Sequence, residues 1–206
     1  MESNHVKMIS GGKCMDNNEI NAAWFINKYH CNPESIKVVM INEVVPEDVK
    51  DDFYVPDSSY SQSIIGLFSN AGMLCNMQEL LEKGIYVCNA VKTPKEQSVI
   101  PILQIKDSLD ELEAELALFD NLKVIMLMGD VARKAFNMIA KKQTGKNVIP
   151  SGSTYKLRHN EYFYHDIRVM PSYICTGGNL LIEKGKVSII SEDIQLMLSI
   201  IGDCHE

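Results

Sequence analysis

Apolar residues along this chain follow two rhythms. Short, mainly apolar runs occupy residues 36–41, 85–90, 123–128 and 167–170 and are rich in Val, Ile and Met. Runs of this length, bounded by Gly, Pro or charged residues, read as strands buried on both faces. Between them the apolar positions recur every three or four residues, as on one face of a helix. The clearest case is 101–119, where Ile102, Ile105, Leu109, Leu112, Leu116 and Phe119 make one stripe. Further helices are expected over 18–30, 60–71, 76–83, 130–140 and 183–200. An acidic loop fills 42–59, and residues 153–158 and 162–164 read as a hairpin around His159-Asn160.

Four buried strands separated by helices predict an α/β protein: a three-layer α/β/α sandwich around a central, mainly parallel four-stranded sheet. No linker or composition break divides the chain, so residues 1–206 read as one domain. In such sheets ligands bind beyond the carboxyl ends of the strands. Each strand here ends in polar groups: Asn42-Glu43, then Asn89 and Lys92, then Gly129-Asp130, then Pro171-Ser172-Tyr173. Asn89 stands out because it terminates the apolar segment Gly84-Ile85-Tyr86-Val87-Cys88-Asn89-Ala90-Val91-Lys92. One amide offers an acceptor and two donors, which suits reading the edge of a nucleobase, although Asn also ends strands at ordinary turns. No Gly-x-Gly-x-x-Gly loop, P-loop or Gly-x-Ser-x-Gly elbow occurs, which weighs against dinucleotide, P-loop and esterase chemistry.

Composition narrows the classes further. A chain of 206 residues that is 46% hydrophobic can bury a substantial core. Its net charge of −7 argues against broad, nonspecific nucleic-acid binding. Contact with DNA then needs a local basic face, for which Lys141, Lys142, Lys146, Lys156 and Arg158 are available. Six scattered cysteines without a Cys-x-x-Cys pair read as reduced thiols in a cytoplasmic protein with no metal site. No apolar run is long enough to span a bilayer, and the first residues do not resemble a secretory signal.

Taken in order, the strand-end segments resemble the uracil-DNA glycosylase superfamily over about residues 36–200. Val38-Val39-Met40-Ile41-Asn42-Glu43-Val44-Val45-Pro46-Glu47 looks like its first motif, and Tyr86-Val87-Cys88-Asn89-Ala90-Val91-Lys92 is similar to its Thr-Asn-x-Val-Lys segment. Lys123-Val124-Ile125-Met126-Leu127-Met128-Gly129-Asp130-Val131-Ala132 resembles its strand-Gly-x-x-Ala-helix segment, and Val169-Met170-Pro171-Ser172 occupies the place of His-Pro-Ser. Val148 to Arg158, with the later Pro171-Ser172-Tyr173, points to an uncharacterised branch. The departures are specific. Met170 replaces the motif His, Asn42 stands where glycine is usual, and Thr93 stands where the iron–sulfur branches carry Cys, so no cofactor is expected.

The resemblance implies hydrolysis of the N-glycosidic bond of uracil or another deaminated base in single- or double-stranded DNA, by a monomer with no membrane association. The sugar gains cationic character as the base leaves with negative charge, so a carboxylate near the sugar and donors near the base are needed. Glu43 is the candidate catalytic residue. Asn42 and Asn89 would read the flipped base, and Phe53 or Tyr54 would stack on it. Lys92, Thr154, Lys156, Arg158, Ser172 and Asn179 would hold DNA. Two alternatives share the fold: a base- or nucleic-acid-binding protein with weakened catalysis, and a nucleoside or nucleotide hydrolase.

Overall fold

The four apolar runs become strands in a computed structural model that describes residues 31–94, 99–176, 180 and 184–202. They are β1 (Val38–Val44), β2 (Ile85–Val91), β3 (Val124–Met128) and, after a short β4 (Tyr162–Tyr164), β5 (Ile167–Ser172). Every residue of β2 and β3 and the first five of β1 are buried. Such strands need cover on both faces. The helix expected over 18–30 lies outside the described residues, as does Asn179.

The sheet runs β2-β1-β3-β5-β4. Its first four strands are parallel, and β4 pairs antiparallel with β5. The protein is therefore α/β with a five-stranded, mostly parallel mixed sheet, one strand more than expected. The expected hairpin is also corrected. Tyr162 pairs with Val169 and Tyr164 with Ile167, so β4 turns back through His165-Asp166 rather than His159-Asn160. His165 takes the left-handed φ of 52° that a two-residue hairpin loop requires at its first position. Residues Thr154–Leu157 are a single helical turn, not a strand. So short a stretch has too few positions for its periodicity to separate the two.

The helices are α1 (Ser59–Asn70), α2 (Met77–Glu82), α3 (Ile102–Asp107), α4 (Leu109–Leu116), α5 (Asp130–Thr144), α6 (Thr154–Leu157) and α7 (Lys184–Ile201). α5 lies across β1, β2 and β3 with α4 beside it, while α7 packs on β3, β5 and α1. The long apolar stripe of 101–119 divides at Ser108. That hydroxyl donates to the Gln104 carbonyl and accepts the Lys92 N–H, a back-bond of the kind that bends helices. Starts are fixed by side chains: Ser58 accepts the Ser61 N–H before α1, and Asn76 and Glu79 form a reciprocal box before α2.

Strand order locates the crevice. The chain leaves β1 toward β2 on one side and leaves β3 toward β5 on the other. The connections therefore diverge between the carboxyl ends of β1 and β3, the position where open α/β sheets hold ligands.

Candidate functional site

Glu43 lies in that crevice. It is the penultimate residue of β1, and its side chain crosses to the start of α5, where Oε1 accepts the Val131 N–H at 3.0 Å. The crossing requires glycine at 129: a Cβ there would sit 2.4 Å from Glu43 Oε1, and Gly129 has φ of 107°. A carboxylate at the N-terminus of a 15-residue helix meets unpaired N–H groups and the positive end of the helix dipole. Burial nonetheless pushes the Glu43 pKa up. The N–H groups of Val131 and Asp130 and the charge of Lys134 oppose this, and the charge of Asp130 adds to it. A half-buried carboxylate with a raised pKa at the carboxyl edge of such a sheet is a candidate functional group.

On the opposite pleat of β1, Asn42 sits in register with Asn89 of β2. Asn42 Nδ2 donates to Asn89 Oδ1 at 3.2 Å and to Thr176 Oγ1 at 3.1 Å. The Cys175 thiol and the Thr176 hydroxyl face Asn42 Oδ1 at 3.5 and 3.4 Å. Asn42 is only 1% exposed and all its polar capacity is taken up within the protein. Asn89 keeps its Nδ2, which has no acceptor among the described residues. The single fully buried, unpartnered side-chain nitrogen among them is Arg168 Nε, so the Asn89 amide nitrogen keeps a small accessible surface although Asn89 is only 5% exposed. Cys175 and Thr176 were not among the site residues expected from the sequence. The signal was their place shortly after a strand end, three and four residues beyond Ser172.

The residues expected to hold DNA are mostly engaged elsewhere. The Lys92 ammonium pairs with Glu115 of α4 and is largely buried. Arg158 donates to Asp193 at 2.8 Å, to Glu192 at 3.0 Å and to the Ile189 carbonyl at 3.1 Å, all on α7. Ser172 donates to the other Asp193 oxygen at 2.6 Å. Ser172 therefore ends β5 near the crevice, with its carbonyl accepting the Gly129 N–H, while its hydroxyl is turned to α7. Thr154 is half-buried and Lys156 is exposed, both on α6.

Phe53 and Tyr54 are core residues. Phe53 packs against the Tyr60 ring at 5.1 Å. The Tyr54 hydroxyl donates to the Val87 carbonyl at 3.0 Å and accepts the Val87 N–H at 2.9 Å. Because β2 is an edge strand, this one hydroxyl satisfies backbone groups that a neighbouring strand would otherwise pair. A cleft of about 300 Å³ opens beside both residues, bounded by Pro56, Ile65, Met77 and Leu81 rather than by the strand ends. Met170 is buried within β5 opposite Met126 and offers no donor. Among the described residues no helix is long and apolar enough to cross a membrane.

The structure thus brings Asn42 to Asn89 and sets Glu43 behind them at the sheet's carboxyl edge, but it withdraws Lys92, Arg158, Phe53 and Tyr54 from that edge. The chain matches no family model, and no curated protein is significantly similar to it.

Proposed function

We propose that the protein is a base-excising N-glycosylase of the uracil-DNA glycosylase kind, with Asn89 reading the base and Glu43 serving the sugar and water. The observation that carries this reading is the Asn89 amide on one pleat with the half-buried Glu43 carboxylate on the next, both at the carboxyl edge of β1 and β2. Hydrolysis of the C1′–N bond leaves cationic character on the sugar, which a carboxylate stabilises. An amide N–H stabilises negative charge gathering on a base carbonyl. Glu43 receives the water's proton most effectively when its pKa is raised, as burial raises it.

A second reading is favoured by one observation: Met170 gives the departing base no donor, and Lys92 and Arg158 are occupied by acids. In that reading the pocket holds a base without excising it.

The test is incubation with labelled oligonucleotides, single- and double-stranded, containing uracil, hypoxanthine or xanthine, followed by alkali. Strand breaks are expected on at least one substrate. Glu43→Gln and Asn89→Ala should each slow them by about 100-fold or more. Absence of breaks at enzyme excess would remove excision. Free uracil that binds wild type but not Asn89→Ala would then establish the second reading.

A further inference from the structure

We infer that Asn42 is a positioning residue that latches the Asn89 amide with its oxygen inward and its NH2 outward, so that the pocket selects a ligand carbonyl over an amino group. This rests on Asn89 being the base-reading residue.

Asn42 cannot itself touch a ligand, being 1% exposed. Its two N–H bonds are committed to Asn89 Oδ1 at 3.2 Å and Thr176 Oγ1 at 3.1 Å. Its oxygen faces two donors, the Cys175 thiol at 3.5 Å and the Thr176 hydroxyl at 3.4 Å. Turning the Asn42 amide alone would set its oxygen against the Asn89 oxygen, acceptor against acceptor. Turning both amides together would restore that contact but point Asn42 NH2 at a thiol sulfur, a weak acceptor. The thiol stays a donor because burial pushes the Cys175 pKa far up, with the charge of Glu43 adding to the shift. With the Tyr60 hydroxyl also bonded to Thr176, one arrangement sets a donor against both the Asn42 and the Asn89 oxygen and turns the Asn89 NH2 away from Asn42.

An N–H offered to a ligand needs an acceptor opposite it. Uracil and cytosine serve as the probe pair because they exchange a keto oxygen for an amino group on one ring. The full-length protein is titrated with each free base, and the ratio of their affinities is the readout. Wild type should favour uracil by at least about tenfold, the effect of one mispaired donor. Asn42→Asp surrounds a carboxylate with three donors, from Asn89, Thr176 and Cys175, and so turns the Asn89 amide over. The ratio should then move at least about tenfold toward cytosine. A merely structural Asn42 would weaken both bases alike and leave the ratio unchanged, which overturns the inference. Thr176→Val, which loosens the latch from its other side, should lower the ratio toward one. It decides the matter if circular dichroism shows Asn42→Asp to be unfolded, and an unchanged ratio there refutes the latch. Wild type binding both bases equally would also overturn it while leaving base binding intact. Wild type binding neither would remove the base-reading role on which it rests.

Discussion

Glu43 is subject to opposed influences, and their balance is measurable. Burial raises its pKa above that of a free carboxyl, while the α5 amides and Lys134 act against this. A carboxyl whose pKa is raised on folding binds its proton more tightly in the native state. Its contribution to stability is therefore complete below the unfolded pKa and is lost as pH rises through the folded one. Glu43→Gln keeps an acceptor for the Val131 N–H but no longer titrates. Denaturant titrations from pH 4 to pH 7 should show wild type losing stability relative to this variant as pH rises. The acid limb of any excision activity should lie above the ordinary carboxylate range and report the same group. Gly129 follows from the same geometry, since φ of 107° with ψ of 175° belongs almost wholly to glycine. Gly129→Ala adds a methyl 2.4 Å from Glu43 Oε1 and should cost about 1–3 kcal/mol in chemical denaturation. The places of Asn89 and Glu43 near strand ends were legible in the sequence, because each lies at the close of a largely apolar run. It could not announce that Asn42 is a latch, because Thr176 lies 134 residues away.

Elements were legible where burial is two-sided. β1, β2, β3 and β5 are largely buried, so their mainly apolar runs were legible, although β1 and β5 continue past the expected ends into the polar residues Asn42-Glu43 and Pro171-Ser172. β4 was legible as a strand but not in its pairing, because Tyr162–Tyr164 is partly exposed and its partner is set by the turn at His165-Asp166. Edge strand β2 poses a separate problem, which Tyr54 solves by bonding both backbone groups of Val87. Tyr54→Phe leaves those groups unpaired in the core and should destabilise the protein by about 1–3 kcal/mol on thermal or denaturant unfolding. The Lys92–Glu115 pair fastens the end of β2 to α4. Burial alone would lower the Lys92 pKa, but Glu115, with help from Cys88 and Glu111, raises it overall, so the ammonium stays charged. Glu115 also accepts a hydrogen bond from the buried Tyr86 hydroxyl at 2.7 Å. Glu115→Ala strands both the charge and that hydroxyl and should cost about 3–5 kcal/mol, whereas Lys92→Met combined with Glu115→Leu leaves only the hydroxyl unpaired and should cost about 1–3 kcal/mol. Equal losses in the single and double variants would show that packing, not charge, holds the two elements together.

At the scale of the whole molecule, the proposed function makes charge the deciding quantity for contact with DNA. The chain carries 27 acidic against 20 basic side chains, a net charge of −7. Two cations that the sequence offered for phosphate are bound to acids, Lys92 to Glu115 and Arg158 to Asp193 and Glu192. Arg158 instead joins the end of α6 to α7, and Asp193 extends that link to Ser172 at the end of β5. Burial raises the Asp193 pKa against the pull of Arg158 and Ser172, so the acid depends on both partners to remain ionised. None of this was legible in order along the chain, since Arg158 and Asp193 are 35 residues apart and an exposed lysine looks the same in sequence as a buried one. The consequence for binding is a shallow salt dependence. Each phosphate neutralised contributes about −0.9 to the slope of log K against log salt on duplex DNA. Of the expected basic face, Lys141, Lys146 and Lys156 are exposed without an acid partner among the described residues, while Lys142 pairs with Glu113, so fluorescence anisotropy between 50 and 200 mM salt should give a slope no steeper than about −3. Lys156→Ala should reduce its magnitude by about 1, while Arg158→Ala should lower stability and leave the slope unchanged. A slope near −5 in wild type, reduced by Arg158→Ala, would mean that the ion pairs open and their cations turn to the phosphates when DNA binds.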